Sequence, residues 1–97
     1  MVIWSDTAKT DLRIIHDFIA HDSRHYAKKV TQDIVAKTDI LNEHPRMGRV
    51  VSELESETIR ELSLYSYRIL YEIKDHGVFV LAIIHKRRDL QPEMIER

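Results

Sequence analysis

The sequence predicts an α+β fold: an N-terminal strand and a helical hairpin packed on a small, mainly antiparallel sheet, in the order β-α-α-β-β-β. Three patterns carry that expectation. Apolar residues recur at helical spacing through the first 43 positions. Residues 67–73 alternate between an apolar and a mixed face. Asp75-His76-Gly77 punctuates two strand-like runs.

The elements follow in order. Val2-Ile3-Trp4 is a short strand candidate. Ser5 is placed to accept a bond from the free amides of a first helix, and Asp6 complements the dipole there. Ala8, Leu12, Ile15 and Ile19 form the buried stripe of that helix, widened by Ile14 and Phe18, and it runs to about Ala20. Ser23 caps a second helix. Its stripe is Ala27, Val30, Ile34 and Leu41 with flanking Val35 and Thr38, and Lys28, Lys29, Asp33, Lys37 and Asp39 lie outside. Pro45 is the expected stop, since the residue before a proline avoids the helical region. Two helices so closely joined pack as an antiparallel hairpin. Residues 45–49 are then a connecting loop in which Gly48 supplies a positive φ.

Strand signals fill the second half. Ile59-Arg60-Glu61-Leu62 comes first. In the next segment Tyr67, Ile69, Tyr71 and Ile73 share one face against Arg68, Leu70, Glu72 and Lys74. This fits a sheet covered by helices on one side only. Tyr67 and Tyr71 therefore read as core residues. Asp75-His76-Gly77 fits a three-residue hairpin loop with Gly77 left-handed. The run Val78 to Ile84 is apolar on both faces, as suits a central strand.

Composition bounds the function. Ninety-seven residues make one domain, 1–97, and 43% hydrophobic with 32% charged content is neither disordered nor membrane-embedded in character. The longest apolar run has seven residues, against the roughly 20 of a spanning helix. No basic stretch precedes a hydrophobic block at Met1-Val2-Ile3-Trp4, so no signal peptide is expected. The absence of cysteine removes disulfides and thiolate metal sites and is compatible with a reducing cytosol. Net charge is −1; residues 1–43 carry 6 Lys and Arg against 7 Asp and Glu, and residues 44–97 carry 9 against 9. That balance counts against a nuclease that must hold RNA unaided. Gly48 and Gly77 alone build no phosphate loop, and His16, His21 and His25 have no neighbour to complete a metal shell. Ser63 and Ser66 have no Ser-His-Asp order. No cofactor is expected.

The ordered set resembles a known family. Ser5-x-x-Ala8-x-x-Asp11-Leu12, Pro45-x-x-Gly48, Arg60-Glu61-Leu62, Tyr67-Arg68-Ile69-x-Tyr71 and His85-x-Arg87-Arg88-Asp89 are similar to the RelE/ParE superfamily, the toxins of bacterial type II toxin–antitoxin modules. The resemblance covers essentially the whole chain. It implies the RelE/ParE-like fold, a cytoplasmic setting and a hetero-oligomer with an antitoxin that wraps the toxin with an extended, partly helical segment.

The superfamily divides by mechanism. RelE-like members cut mRNA on the ribosome, with lysines on the strand before the Tyr-Arg motif, arginines on the last two strands and often a tyrosine near the C-terminus. Here Ile59 and Glu61 stand where the lysines would be, and no tyrosine follows Arg88. The His-x-Arg-Arg-Asp ending is similar to ParE, whose members inhibit DNA gyrase by binding. The resemblance thus implies a ParE-like gyrase inhibitor rather than an enzyme, with no catalytic residue. Arg60, Arg68, His85, Lys86, Arg87 and Arg88 are its candidate antitoxin- or target-binding residues. Two alternatives stand beside it: a ribosome-dependent endoribonuclease using Arg68, Arg88 and His85 as the base, and a non-toxic partner that only binds the antitoxin. Each cation also has a plainer role. Arg68 is within reach of a cross-strand pair with Glu61 or Glu72; Arg60 and the 86–88 run fit solvated charges, and His85 fits a hydrogen-bonding strand end.

Overall fold

The computed structural model describes residues 1–95. Strand β1 is Val2–Trp4, helix α1 Asp6–Ala20, helix α2 Arg24–Asp39, strand β2 Arg49–Val50, β3 Ile59–Leu64, β4 Tyr67–Lys74 and β5 Gly77–His85. One sheet takes the order β1-β5-β4-β3-β2. β1 runs parallel to β5 and all other neighbours are antiparallel. The α+β class with a helical hairpin on a mainly antiparallel sheet is as expected. The two-residue β2 is an addition: Arg49 pairs with Glu61 and Val50 with Arg60, where the sequence pattern gave only loop.

Both helix caps form. Ser5 Oγ accepts from the Ala8 N–H at 3.0 Å, and Ser23 Oγ from the Tyr26 N–H at 3.1 Å. α2 ends before the expected stop at Pro45, because the chain tightens at Asp39 into a 3-10 turn over Ile40–Asn42. That turn still buries Leu41 completely, so the stripe continues past the α-helix.

A longer strand beside a shorter one decides where α1 lies. β5 spans nine residues, but β1 covers only Val78 to Val80. The backbone groups beyond would be left without partners, a cost of about 1–3 kcal/mol each. Helix α1 supplies them. The Ser5 N–H donates to the Val80 carbonyl at 2.9 Å, and Ser5 Oγ donates to the Leu81 carbonyl at 3.1 Å. Asp11 Oδ2 accepts from the Ile83 N–H at 3.0 Å. A β-bulge lies alongside: Leu70 faces Ala82 and Tyr71 faces Val80, which leaves Leu81 extra. Burial raises the Asp11 carboxyl above its usual range, opposed by that amide and by the charge of Arg88.

Both faces of the sheet carry an apolar cluster. Ala8, Ile15, Val30, Ile34, Leu41, Leu62, Ile69, Tyr71, Val78, Val80 and Ile83 form the one under the helices. Val51, Ile59, Leu70, Leu81, Ala82, Ile84 and Leu90 form the other, with Leu54, Phe79, Met94 and Ile95 against it. The second cluster corrects the expectation of a sheet covered on one side, since the loop after β2 and the C-terminal segment act as a thin second layer. Ile14 and Phe18 do not widen the α1 stripe; they are 61% and 76% exposed.

The glycines act differently from expectation too. Gly77 has φ +144°, but it is already paired with Lys74 as the first residue of β5, so the hairpin loop is the two residues Asp75-His76. Gly48 is needed for space rather than for a positive φ: a Cβ there would lie 2.5 Å from the Glu61 carbonyl and 2.7 Å from Tyr71 Oη. Tyr71 is wholly buried, accepts from the Gly48 N–H at 2.9 Å and donates to the Pro45 carbonyl at 2.7 Å. Tyr71→Phe removes both bonds and should cost about 1–3 kcal/mol in urea unfolding. Gly48→Ala should cost more, because backbone rather than a flexible side chain must yield. Equal stability of Tyr71→Phe and the parent would show that water takes over both partners.

Candidate partner-binding site

The cationic residues singled out in the sequence fall into three places. Arg60, on the helix side of β3, donates from Nη1 to the Gly48 carbonyl at 2.7 Å and the Arg46 carbonyl at 3.5 Å. It acts with Tyr71 to clamp the Pro45–Gly48 loop. Its Nε is buried without a partner, a further sign that the side chain is folded inward.

Arg68 projects from the opposite face of the sheet. Its Nε and Nη2 hold Glu61 at 3.1 and 2.6 Å, and its Nη1 and Nη2 hold Glu53 at 2.7 and 2.9 Å. Two bidentate carboxylates therefore share one guanidinium. Glu61 is 4% exposed and Glu53 39%. The two bonds from Arg68 hold the Glu53 carboxyl at about 2, and the same pairing raises the guanidinium above its usual value. Arg49 Nη2 approaches Glu61 at 3.5 Å from solvent. A cleft of about 550 Å³ opens here, lined by Arg49, Ser52, Glu53, Glu61, Ser63, Arg68 and Lys86.

The 85–88 run straddles the end of the sheet. Lys86 borders this cleft, and its N–H donates to the Ser66 carbonyl at 2.8 Å. His85 and Arg88 line a separate groove of about 270 Å³ beside α1, with Asp11, Ile14, Phe18 and Tyr67. The His85 ring stands edge-on to Tyr67 at 5.7 Å, and its Nδ1 accepts from the Arg87 N–H at 3.1 Å. Arg87 is exposed. Arg68 and Lys86 thus share one concavity and His85 and Arg88 another, while Arg60 belongs to neither. Among the described residues no group of three His, Asp or Glu is placed to hold a metal ion.

Arg49, Glu53, Ile14 and Phe18 were missed as site residues. Glu53 had a faint signal in the acidic alternation Glu53-x-Glu55-x-Glu57. Arg49 stands 19 positions from Arg68, and nothing local couples them.

Two stability tests follow. Arg68→Ala strands the buried Glu61 carboxylate and should cost about 3 kcal/mol or more in denaturant unfolding. Glu53 has a depressed folded pKa, so its contribution is present above about pH 4.5 and is lost as pH falls toward about 2. Being over one third exposed, it contributes no more than about 1 kcal/mol. The stability gap between parent and Glu53→Gln should hold at neutral pH, shrink below about pH 4.5 and close near pH 2. A gap independent of pH would dismiss the ion pair.

Comparison with known proteins agrees with the fold. The family described as the ParE toxin of the type II toxin–antitoxin system parDE matches residues 2–90. Toxin RelE2 of Caulobacter vibrioides is 33% identical over 88 residues, covering 90% of this chain and 96% of that protein. The structure of the chromosomal ParDE system from P. aeruginosa superposes with a TM-score of 0.73 at 24% identity, over 87% of this chain and 92% of that one. Similarity across nearly the full chain, with the strand order and helical hairpin just described, places this protein in the RelE/ParE superfamily: it belongs to the ParE toxin family of type II toxin–antitoxin systems.

Proposed function

We propose that this toxin acts by docking on DNA gyrase, in the bacterial cytoplasm, and is neutralised by a cognate antitoxin. The observation that carries the reading is the state of Arg68. A guanidinium saturated by Glu53 and Glu61 has little positive potential left for a scissile phosphate. The other groups a nuclease would recruit, His85 and Arg88, line a different groove. A ribonuclease needs cations and a base converging on one ribose–phosphate, and this arrangement disperses them.

Docking suits the same surface. The α1 groove offers Ile14 and Phe18 as apolar anchors with Arg88 beside them, a combination that fits an amphipathic acidic segment. Similarity to a protein named Toxin RelE2 keeps the ribosome and mRNA as the second target to be tested. No helix among the described residues is long and apolar enough to cross a membrane.

The deciding experiment pairs gyrase supercoiling with translation in vitro, using one preparation of purified toxin. Supercoiling should fall while mRNA stays intact. Truncated mRNA on ribosomes with normal supercoiling would overturn the reading, and a chain that leaves both assays untouched and does not arrest growth is a binding partner only. Arg87→Glu with Arg88→Glu should weaken antitoxin binding about tenfold and reduce toxicity. Unchanged values for both would remove the cationic rim from the interface.

A further inference from the structure

The cleft around Arg68 already holds a ligand, and the chain supplies it. Glu61 grips the guanidinium side-on, is buried and belongs to β3, so it is a fixed part of the floor. Glu53 takes the end of the fork from the loop between β2 and β3 and is 39% exposed. That loop reads Ser52-Glu53-Leu54-Glu55-Ser56-Glu57-Thr58, with three carboxylates at alternate positions. Glu55 and Glu57 are exposed, and Leu54 rests on the second apolar cluster. The segment has the chemistry of an acidic peptide laid against a cationic cleft. We propose that residues 52–57 are a built-in pseudo-ligand, and that the cleft of Arg49, Arg68 and Lys86 binds the carboxylate side chains of an acidic partner segment that displaces Glu53. This rests on the reading above that an antitoxin neutralises the toxin, and names how one of its acidic residues would be received.

Three features favour exchange. Among the described residues Glu53 is held by its two bonds to Arg68, by Ser52 Oγ at 3.3 Å and by its own backbone N–H. The last two leave Arg68 free to pair again, so a second carboxylate can take the same two guanidinium N–H groups in the same plane. With Glu53 withdrawn, three cations (Arg49, Arg68, Lys86) face one carboxylate (Glu61), a local charge of 3 − 1 = +2. Ser52 and Ser63 hydroxyls line the wall for further acceptors. A carboxylate is favoured over inorganic phosphate because Glu61 stays on the same guanidinium: a planar monoanion replaces Glu53 charge for charge, whereas a bulkier dianion meets Glu61 at close range. A nucleic-acid phosphodiester is a monoanion too, and the RNA titration distinguishes it.

The test compares parent, Glu53→Ala and Glu53→Gln by calorimetric titration at low salt with a ten-residue poly-L-glutamate peptide, inorganic phosphate and a short single-stranded RNA. Removing the competitor should tighten peptide binding about tenfold. Adding Lys86→Ala to Glu53→Ala should reverse the gain, and salt should weaken it. Glu53→Gln keeps the side chain's shape and guards against a loop that fails to fold in the alanine variant. Equal peptide affinity in all three proteins would overturn the proposal. So would a gain confined to phosphate or RNA, which would assign the cleft to nucleic acid. A cognate antitoxin separates the two readings. If it binds parent and Glu53→Ala alike, the pseudo-ligand is wrong while neutralisation stands; if it does not bind, neutralisation fails and the peptide titration still decides the cleft.

Discussion

A nine-residue strand with a three-residue parallel neighbour must find other partners for its backbone, and the architecture follows from how that is met. Ser5 and Asp11 act as a surrogate strand along β5. Because both belong to the first turns of α1 or its cap, the helix cannot roll or slide without exposing the Val80, Leu81 and Ile83 backbone. α2 then packs on α1 and the sheet through Val30 and Ile34. The polar positions of the Ser5-x-x-Ala8-x-x-Asp11 pattern are therefore main-chain ligands, and Ala8, wholly buried, lets the helix approach closely.

On the far face, electrostatics replaces helices as the organiser. Arg68 ties β4 to β3 through Glu61 and to the loop after β2 through Glu53. Removing Arg68 would therefore disturb folding and function together, so loss of toxicity in such a variant does not by itself assign the residue to a target. Variants at Lys86, Arg87 or Glu53 leave the buried Arg68–Glu61 pair in place and separate the two effects more cleanly.

The tip of the β3–β4 hairpin shows a related economy of contacts. Tyr65 takes φ +54°, rarely adopted by a bulky residue, and its hydroxyl donates to Asp33 on α2 while its ring meets Tyr26 edge-on at 6.4 Å. The bond lowers the Asp33 carboxyl below its usual range and pushes the Tyr65 hydroxyl up to about 12. The turn is thereby pinned to helix α2.

Much of the local structure was legible in the sequence because its causes are local. Ser5 and Ser23 cap helices by bonds three residues long, and the Tyr67–Ile73 alternation follows from the two-residue period of a strand. The bulge at Leu81 was not legible, since an unbroken apolar run offers no change of pattern where the register slips. Nor was β2, because two exposed residues form a strand only when β3 is there to pair with them. The sequence alone determined the class, the hairpin and the identity of the cations. Tertiary structure decided which cations act together. It turned Arg60 inward onto a loop, gave Arg68 to two carboxylates 7 and 15 residues away, and parted Lys86 from Arg88. Charge acts through distance in space, and spacing along the chain fixes that distance only within a single helix or strand.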